Sequence, residues 1–153
     1  LLARGLAQAA LEKIARFFAG APSWTASTAL AGGDVAPEGL DGLAKEAERR
    51  WPFLSPSQAR RLASSYGSRL TEILRGATQA GDLGERFGAD LTAAEIRYLM
   101  REEWAETADD VLWRRSALGT GFSPSERDAL ARFMAAESAV SERRRPDGSG
   151  AGG

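Results

Sequence analysis

The run Glu95-Ile96-Arg97-Tyr98-Leu99-Met100-Arg101-Glu102-Glu103-Trp104-Ala105-Glu106-Thr107-Ala108-Asp109-Asp110-Val111-Leu112-Trp113-Arg114-Arg115-Ser116-Ala117-Leu118-Gly119 decides how this chain is read. Ile96, Leu99 and Met100 recur at steps that put apolar side chains on one helix face. Thr92 precedes Glu95 by three, the spacing of a capping box, in which each side chain accepts from the other residue's backbone N–H. Thr107 gives a second start signal. Asp109 and Asp110 then fall in the first turn of the next helix, and Arg114 and Arg115 in its last. Both signs suit the helix dipole, at roughly 0.3–1 kcal/mol per charge. Gly119 is predicted as the left-handed residue past the end of that helix.

Outward from this run the same grammar continues. Toward the N-terminus, Leu2, Leu6, Ala10, Ile14 and Phe17/Phe18 form one face of a helix over about 2–19, ended by Gly20 and Pro22. Residues 23–37, with Gly32-Gly33 and Pro37, read as a loop. A helix over about 37–50 is predicted to turn Leu40, Leu43, Ala44 and Ala47 inward and to stop before Pro52. Ser55-Pro56-Ser57-Gln58 is a second capping box, with proline at the first helical position. Leu70, Ile73 and Leu74 suggest a short helix, after which Gly76, Gly81 and Gly84 break the pattern. Ser123-Pro124-Ser125-Glu126 opens a last helix over about 124–140, carrying Leu130, Phe133, Met134 and Val140; each such cap is worth ~1 kcal/mol. Arg143-Arg144-Arg145-Pro146-Asp147-Gly148-Ser149-Gly150 reads as part of a disordered tail over 141–153. The prediction is an all-α fold: a compact multi-helix accessory domain of about six helices over residues 1–140, then that tail.

Composition narrows the chemistry. The 153 residues are 43% hydrophobic and 27% charged, with a net charge of -1. That is ordinary for a globular chain, which at this length buries roughly 70% of its unfolded surface. There is no cysteine and no histidine, which removes thiolate nucleophiles, Cys/His zinc sites and imidazole acid–base catalysis. Serine nucleophiles lack a histidine partner. The carboxylate neighbours Glu102/Glu103 and Asp109/Asp110 diverge by about 100° on a helix and share no site. Arg60-Arg61 and Arg114-Arg115 would sit on helices as in a helix-turn-helix, but the net charge argues against nucleic acid as a partner. Trp104 and Trp113, like Tyr66 and Tyr98, are predicted to pack in a core or a domain interface rather than to line a ligand groove. Asp110 and Arg114 are an i,i+4 pair, worth roughly 0.3–0.5 kcal/mol if merely solvated.

The central run resembles a signature of the FAD-dependent (aerobic, respiratory) glycerol-3-phosphate dehydrogenases. Their C-terminal helical domain carries Glu-Trp-Ala-x-Thr-x-x-Asp-x-Leu-x-Arg-Arg-Ser/Thr-x-Leu-Gly. Glu103, Trp104, Ala105, Thr107, Asp110, Leu112, Arg114, Arg115, Ser116, Leu118 and Gly119 fall in register with it. Pro22-Ser23-Trp24-Thr25 with Leu30-Ala31-Gly32-Gly33, then Trp51-Pro52-Phe53-Leu54, Ala63-Ser64-Ser65-Tyr66-Gly67-Ser68 and Asp82-Leu83-Gly84-Glu85-Arg86-Phe87-Gly88 resemble further blocks of the family, in order. The likeness covers about residues 4 to 134.

Two family elements are missing. No Gly-x-Gly-x-x-Gly turn follows a strand, so the flavin pyrophosphate has no cradle in this chain. Of the Gly-Gly-Lys-x-Thr-Thr-x-Arg segment near flavin and substrate, only Arg4 matches. The chain therefore reads as a C-terminal piece of a longer enzyme, silent in catalysis by itself. The resemblance implies that such an enzyme oxidises glycerol 3-phosphate to dihydroxyacetone phosphate with FAD. It implies quinone and a membrane surface as partners, a cytoplasmic, peripherally membrane-associated location, and room for a homodimer. It also makes Arg4, Trp104, Asp110, Trp113, Arg114 and Arg115 candidates for docking against the FAD and substrate domains. The competing reading is a free-standing helical protein-interaction module.

Overall fold

The structure is a computed structural model, and it describes residues 2–17, 28–35 and 38–144. Among these no strand forms; Arg86 and Thr92 make an isolated antiparallel bridge. The chain divides into a unit over residues 1–30 and a larger one over 31–153. The first holds helix α1 (Leu2–Ile14) and a tight turn, Ala15–Phe17. A single helix cannot enclose its own apolar stripe, and Leu6, Leu11, Ile14 and Phe17 are exposed. The predicted helix end at Gly20 and Pro22, and the block Pro22–Thr25, lie outside the described residues.

The larger unit contains α2 (Gly39–Arg50), α3 (Pro56–Tyr66), α4 (Leu70–Ile73), α5 (Ala93–Glu102), a π-helical turn (Asp110–Arg115) and α6 (Pro124–Arg144). Its α2 lies along α3, and α5 meets α4 and the π-helical turn. Leu62, Leu70, Leu74, Ile96, Leu99 and Leu130 are fully buried and form one core. Burying each side chain of this size contributes roughly 1.5–3 kcal/mol. Tyr66 and Tyr98 pack edge to face in it at 5.5 Å, as predicted for both.

Helix ends follow local chemistry with informative departures. Trp51 N–H donates to the Ala47 carbonyl (2.8 Å), and Pro52 ends α2 as expected. Ser55 and Thr92 cap α3 and α5 through the backbone N–H of Gln58 (3.2 Å) and Glu95 (3.4 Å). Neither box closes, because Gln58 reaches the Asp90 carbonyl and Glu95 is taken by Arg61 and Tyr66. The Ser123–Glu126 box does close: Ser123 N–H donates to Glu126 (2.7 Å) and Glu126 N–H to Ser123 Oγ (3.3 Å). The chain leaves α3 at Gly67, whose φ of +56° turns it against Gly32. A Cβ there would lie 1.8 Å from the Gly32 carbonyl oxygen, so only glycine fits.

Four expectations need correction. Leu40 is 47% exposed although Ala44 and Ala47 beside it are buried, since the buried face of α2 is narrower than its apolar pattern. Val140 is also exposed, beyond the reach of the core that holds Leu130 and Met134. α6 continues through Ser141–Arg144, with Arg143 donating to the Ala139 carbonyl (3.0 Å), so the tail does not begin at 141; residues 145–153 lie outside the description. Gly119 is not the left-handed residue: Ala117 takes φ +55°, and Gly119 opens a tight turn, Gly119–Gly121.

Candidate functional site

Among the described residues no group of three or more His, Cys, Asp or Glu converges on a metal position. The strongest polar assembly is an ionic cluster behind the signature run. Glu95, 1% exposed, accepts two parallel bonds from Arg61 (2.6 and 2.8 Å) and one from the Tyr66 hydroxyl (2.7 Å). Arg61 Nε also donates to Asp90 (2.7 Å), and Gln58 to the Asp90 carbonyl (3.3 Å). Asp90 stands at φ +61°, following Ala89 at +51°, so the loop before α5 is bent to present its carboxylate to α3.

Burial opposes the Arg61 charge, yet Glu95 and Asp90 together raise its pKa above the usual arginine value. Burial, then the Glu95 charge, pushes the Tyr66 phenol well up from its ordinary value. With every oxygen of Glu95 engaged, this is a clamp joining α3 to α5, not an acid–base pair open to substrate. The only sequence hints were the capping position of Glu95 and the Arg60-Arg61 pair, and nothing in one dimension relates positions 34 apart.

Five of the six candidate docking residues follow α5 in the chain. Asp110 accepts from Thr107 Oγ1 (2.9 Å) and N–H (2.9 Å), from Glu106 N–H (3.2 Å) and from Arg114. These bonds, Thr107 first, lower its pKa to about 2. The predicted i,i+4 pair therefore forms, but in a π-helical turn, where Ser116 N–H reaches the Val111 carbonyl (3.0 Å). The extra residue per turn lets Val111 and Leu112 both bury fully. Trp113 is left 47% exposed, lying against Gly119 with the Arg127 guanidinium 5.3 Å from its ring. Arg114 and Arg115 are exposed. Arg4 belongs to α1, and its side chain lies outside the description.

Of the two placements expected for Trp104, a core or a domain interface, its exposure rules out the core. Trp104 is 80% exposed and takes φ +54°. The chain reverses there: Ala105 N–H reaches back to the Leu99 carbonyl (3.1 Å), the stop that glycine ordinarily makes. A left-handed L-residue costs roughly 1–2 kcal/mol.

Comparison with known proteins places this architecture. Residues 23–145 match the family described as the C-terminal domain of alpha-glycerophosphate oxidase. The chain belongs to that family. A glycerol-3-phosphate dehydrogenase of Pseudomonas aeruginosa is 39% identical over 88% of this chain. The aerobic glycerol-3-phosphate dehydrogenase of Escherichia coli (strain K12) is 38% identical over 86%. A D-erythritol 1-phosphate dehydrogenase of Brucella abortus is 32% identical over 72%. The chain spans about a quarter of the length of these relatives: 26%, 26% and 22%.

The glycine-rich block has a structural role. In Asp82-Leu83-Gly84, Asp82 accepts from Thr78 and Gln79, Leu83 is buried, and Gly84 turns at φ +76°. No strand precedes it among the described residues.

Proposed function

We propose that this domain serves an FAD-dependent glycerol-3-phosphate dehydrogenase, oxidising glycerol 3-phosphate to dihydroxyacetone phosphate with quinone as acceptor at a membrane surface. FAD and the substrate-binding groups belong to the portion of such an enzyme that this chain does not span. The domain's contribution is packing. Trp104, Trp113, Arg114 and Arg115, with Asp110 as their brace, form the face that docks on the FAD and substrate domains, and Arg4 marks the junction. Membrane contact in this reading is peripheral; no helix among the described residues is long and apolar enough to cross a membrane.

The observation that carries the docking reading is Trp104. Its indole is exposed while its backbone holds a conformation that glycine would adopt without strain. A side chain that costs free energy in the isolated domain and recovers none there is explained by a partner surface, where a tryptophan anchor is worth about 2–4 kcal/mol.

The test begins with the DNA upstream of the Leu1 codon, where the reading expects an in-frame flavin fold. Trp104→Gly is then made in the 153-residue chain and in the complete gene product. The isolated chain should gain about 0.5–1 kcal/mol, as relief of strain exceeds the flexibility glycine adds to the unfolded state. The complete enzyme should lose stability and glycerol 3-phosphate-dependent dye reduction. Equal effects in both contexts would sink the docking role, and dye reduction by the 153-residue chain alone would sink the accessory reading.

A further inference from the structure

A cleft of about 450 Å³ opens between the end of α2 and the segment following α4, lined by Arg50, Trp51, Thr71, Arg75, Gly76 and Thr78. Two of its donors are arginine guanidiniums without a carboxylate partner among the described residues, as those of Arg60, Arg86, Arg115 and Arg132 also are. Arg49, Arg61, Arg69, Arg97, Arg101 and Arg114 all pair with carboxylates. Arg50 and Arg75 enter no salt bridge among the described residues, yet both line this one cleft. The Arg50 guanidinium lies 4.6 Å from the centre of the buried Trp51 ring, which orients it in advance of any ligand.

The remaining polar groups of the wall are occupied. Thr71 Oγ1 donates to the Ser68 carbonyl (3.0 Å) and Thr78 Oγ1 to Asp82 (2.8 Å). The Asp82 carboxylate adjoining Thr78 is itself satisfied by four bonds from Thr78 and Gln79. Two guanidinium forks are therefore the groups left to meet a ligand. We propose that the Arg50–Arg75 cleft binds a phosphate-bearing anion. The planar forks match phosphate oxygens in pairs, and two cations match the double charge of a phosphate monoester. The volume falls in the range of small-ligand sites and exceeds what orthophosphate fills, leaving room for a short carbon skeleton beside Trp51. The inference rests on the cleft alone and is independent of the docking face and of the enzyme assignment.

The test is calorimetric titration of the full 153-residue chain with inorganic phosphate and with glycerol 3-phosphate, against sodium chloride at matched ionic strength. Co-sedimentation with phosphatidylglycerol and phosphatidylcholine vesicles runs in parallel. Saturable binding should weaken on the order of tenfold in Arg50→Gln and in Arg75→Gln and vanish in the double variant. Both positions are at the surface, so circular dichroism should be unchanged; Arg50→Lys and Arg75→Lys, which keep the charge but lose the fork, provide a second folded series with intermediate binding. Arginine-dependent binding of the soluble phosphates identifies a free phosphate ester as the ligand. Arginine-dependent binding of phosphatidylglycerol vesicles alone identifies a lipid headgroup. Absence of both, or binding that survives in the double variant, overturns the site.

Discussion

Replacing Glu95 by glutamine keeps the shape of the clamp and removes its charge. Arg61 then loses two bonds of 2.6 and 2.8 Å to an anion, retaining Asp90 and a neutral amide oxygen. Removing one member of a buried ion pair costs about 3–5 kcal/mol, because the other charge is left without compensation. Arg61 is 18% exposed and keeps one carboxylate, which reduces the loss to about 2–3 kcal/mol. Bond counting agrees: one charge-assisted hydrogen bond lost and a second weakened to neutral strength is about 2–3 kcal/mol. Urea unfolding followed at 222 nm should show the midpoint falling with an unchanged slope, and Tm should drop by about 8–12 °C. Arg61→Met combined with Glu95→Leu removes both charges at once and should be less damaging than the two single losses added, by about 2 kcal/mol of coupling. A loss below about 1 kcal/mol in Glu95→Gln, or strict additivity in the pair, would refute the argument that this cluster clamps α3 to α5.

Other outcomes follow from the same geometry. The folded state keeps Tyr66 protonated above its ordinary value, so stability present below pH 10 should decline as pH rises past 10 toward the raised folded value. The slope is about 1.4 kcal/mol per pH unit, and Tyr66→Phe should remove it from the alkaline limb of a Tm–pH profile. Asp110 is displaced the other way, from 3.8 to about 2, and stabilises the fold above pH 3.8. That contribution is lost as pH falls through about 2, so Asp110→Asn should give a shallower acid limb in the same profile. Gly119→Ala would place a methyl 2.5 Å from the Trp113 ring. A changed near-ultraviolet dichroism signal and a loss of about 1–3 kcal/mol are expected, and a spectrum identical to wild type would contradict the packing.

Much of this was legible in one dimension because its causes are local. A serine or threonine three residues before an acceptor, proline at the first turn and glycine at a reversal act over a single helical turn. They located α3, α5 and α6 and the break near Gly84. The same local rules misplaced what depends on neighbours in space. The side chains of Gln58 and Glu95 were assigned to their own caps, whereas Asp90 and Arg61 across the fold compete for them and win. Size alone leaves Trp104 between a core and a domain interface, and the reversal after α5 holds it outward. The π-helical form of Asp110–Arg115 also escaped the pattern, since apolar spacing alone does not say that both Val111 and Leu112 must face the core.

The sequence by itself determined an all-α domain, its family and the absence of imidazole and thiol chemistry, because residue identity, period and caps are properties of the chain. Tertiary structure alone decided which charges are spent and which are free. It closed Arg61, Asp90 and Glu95 into a buried clamp and left Arg50 and Arg75 facing an open cleft. An arginine's partner is set by distance through space, and a charge acts across a few ångströms regardless of how many residues of chain lie between.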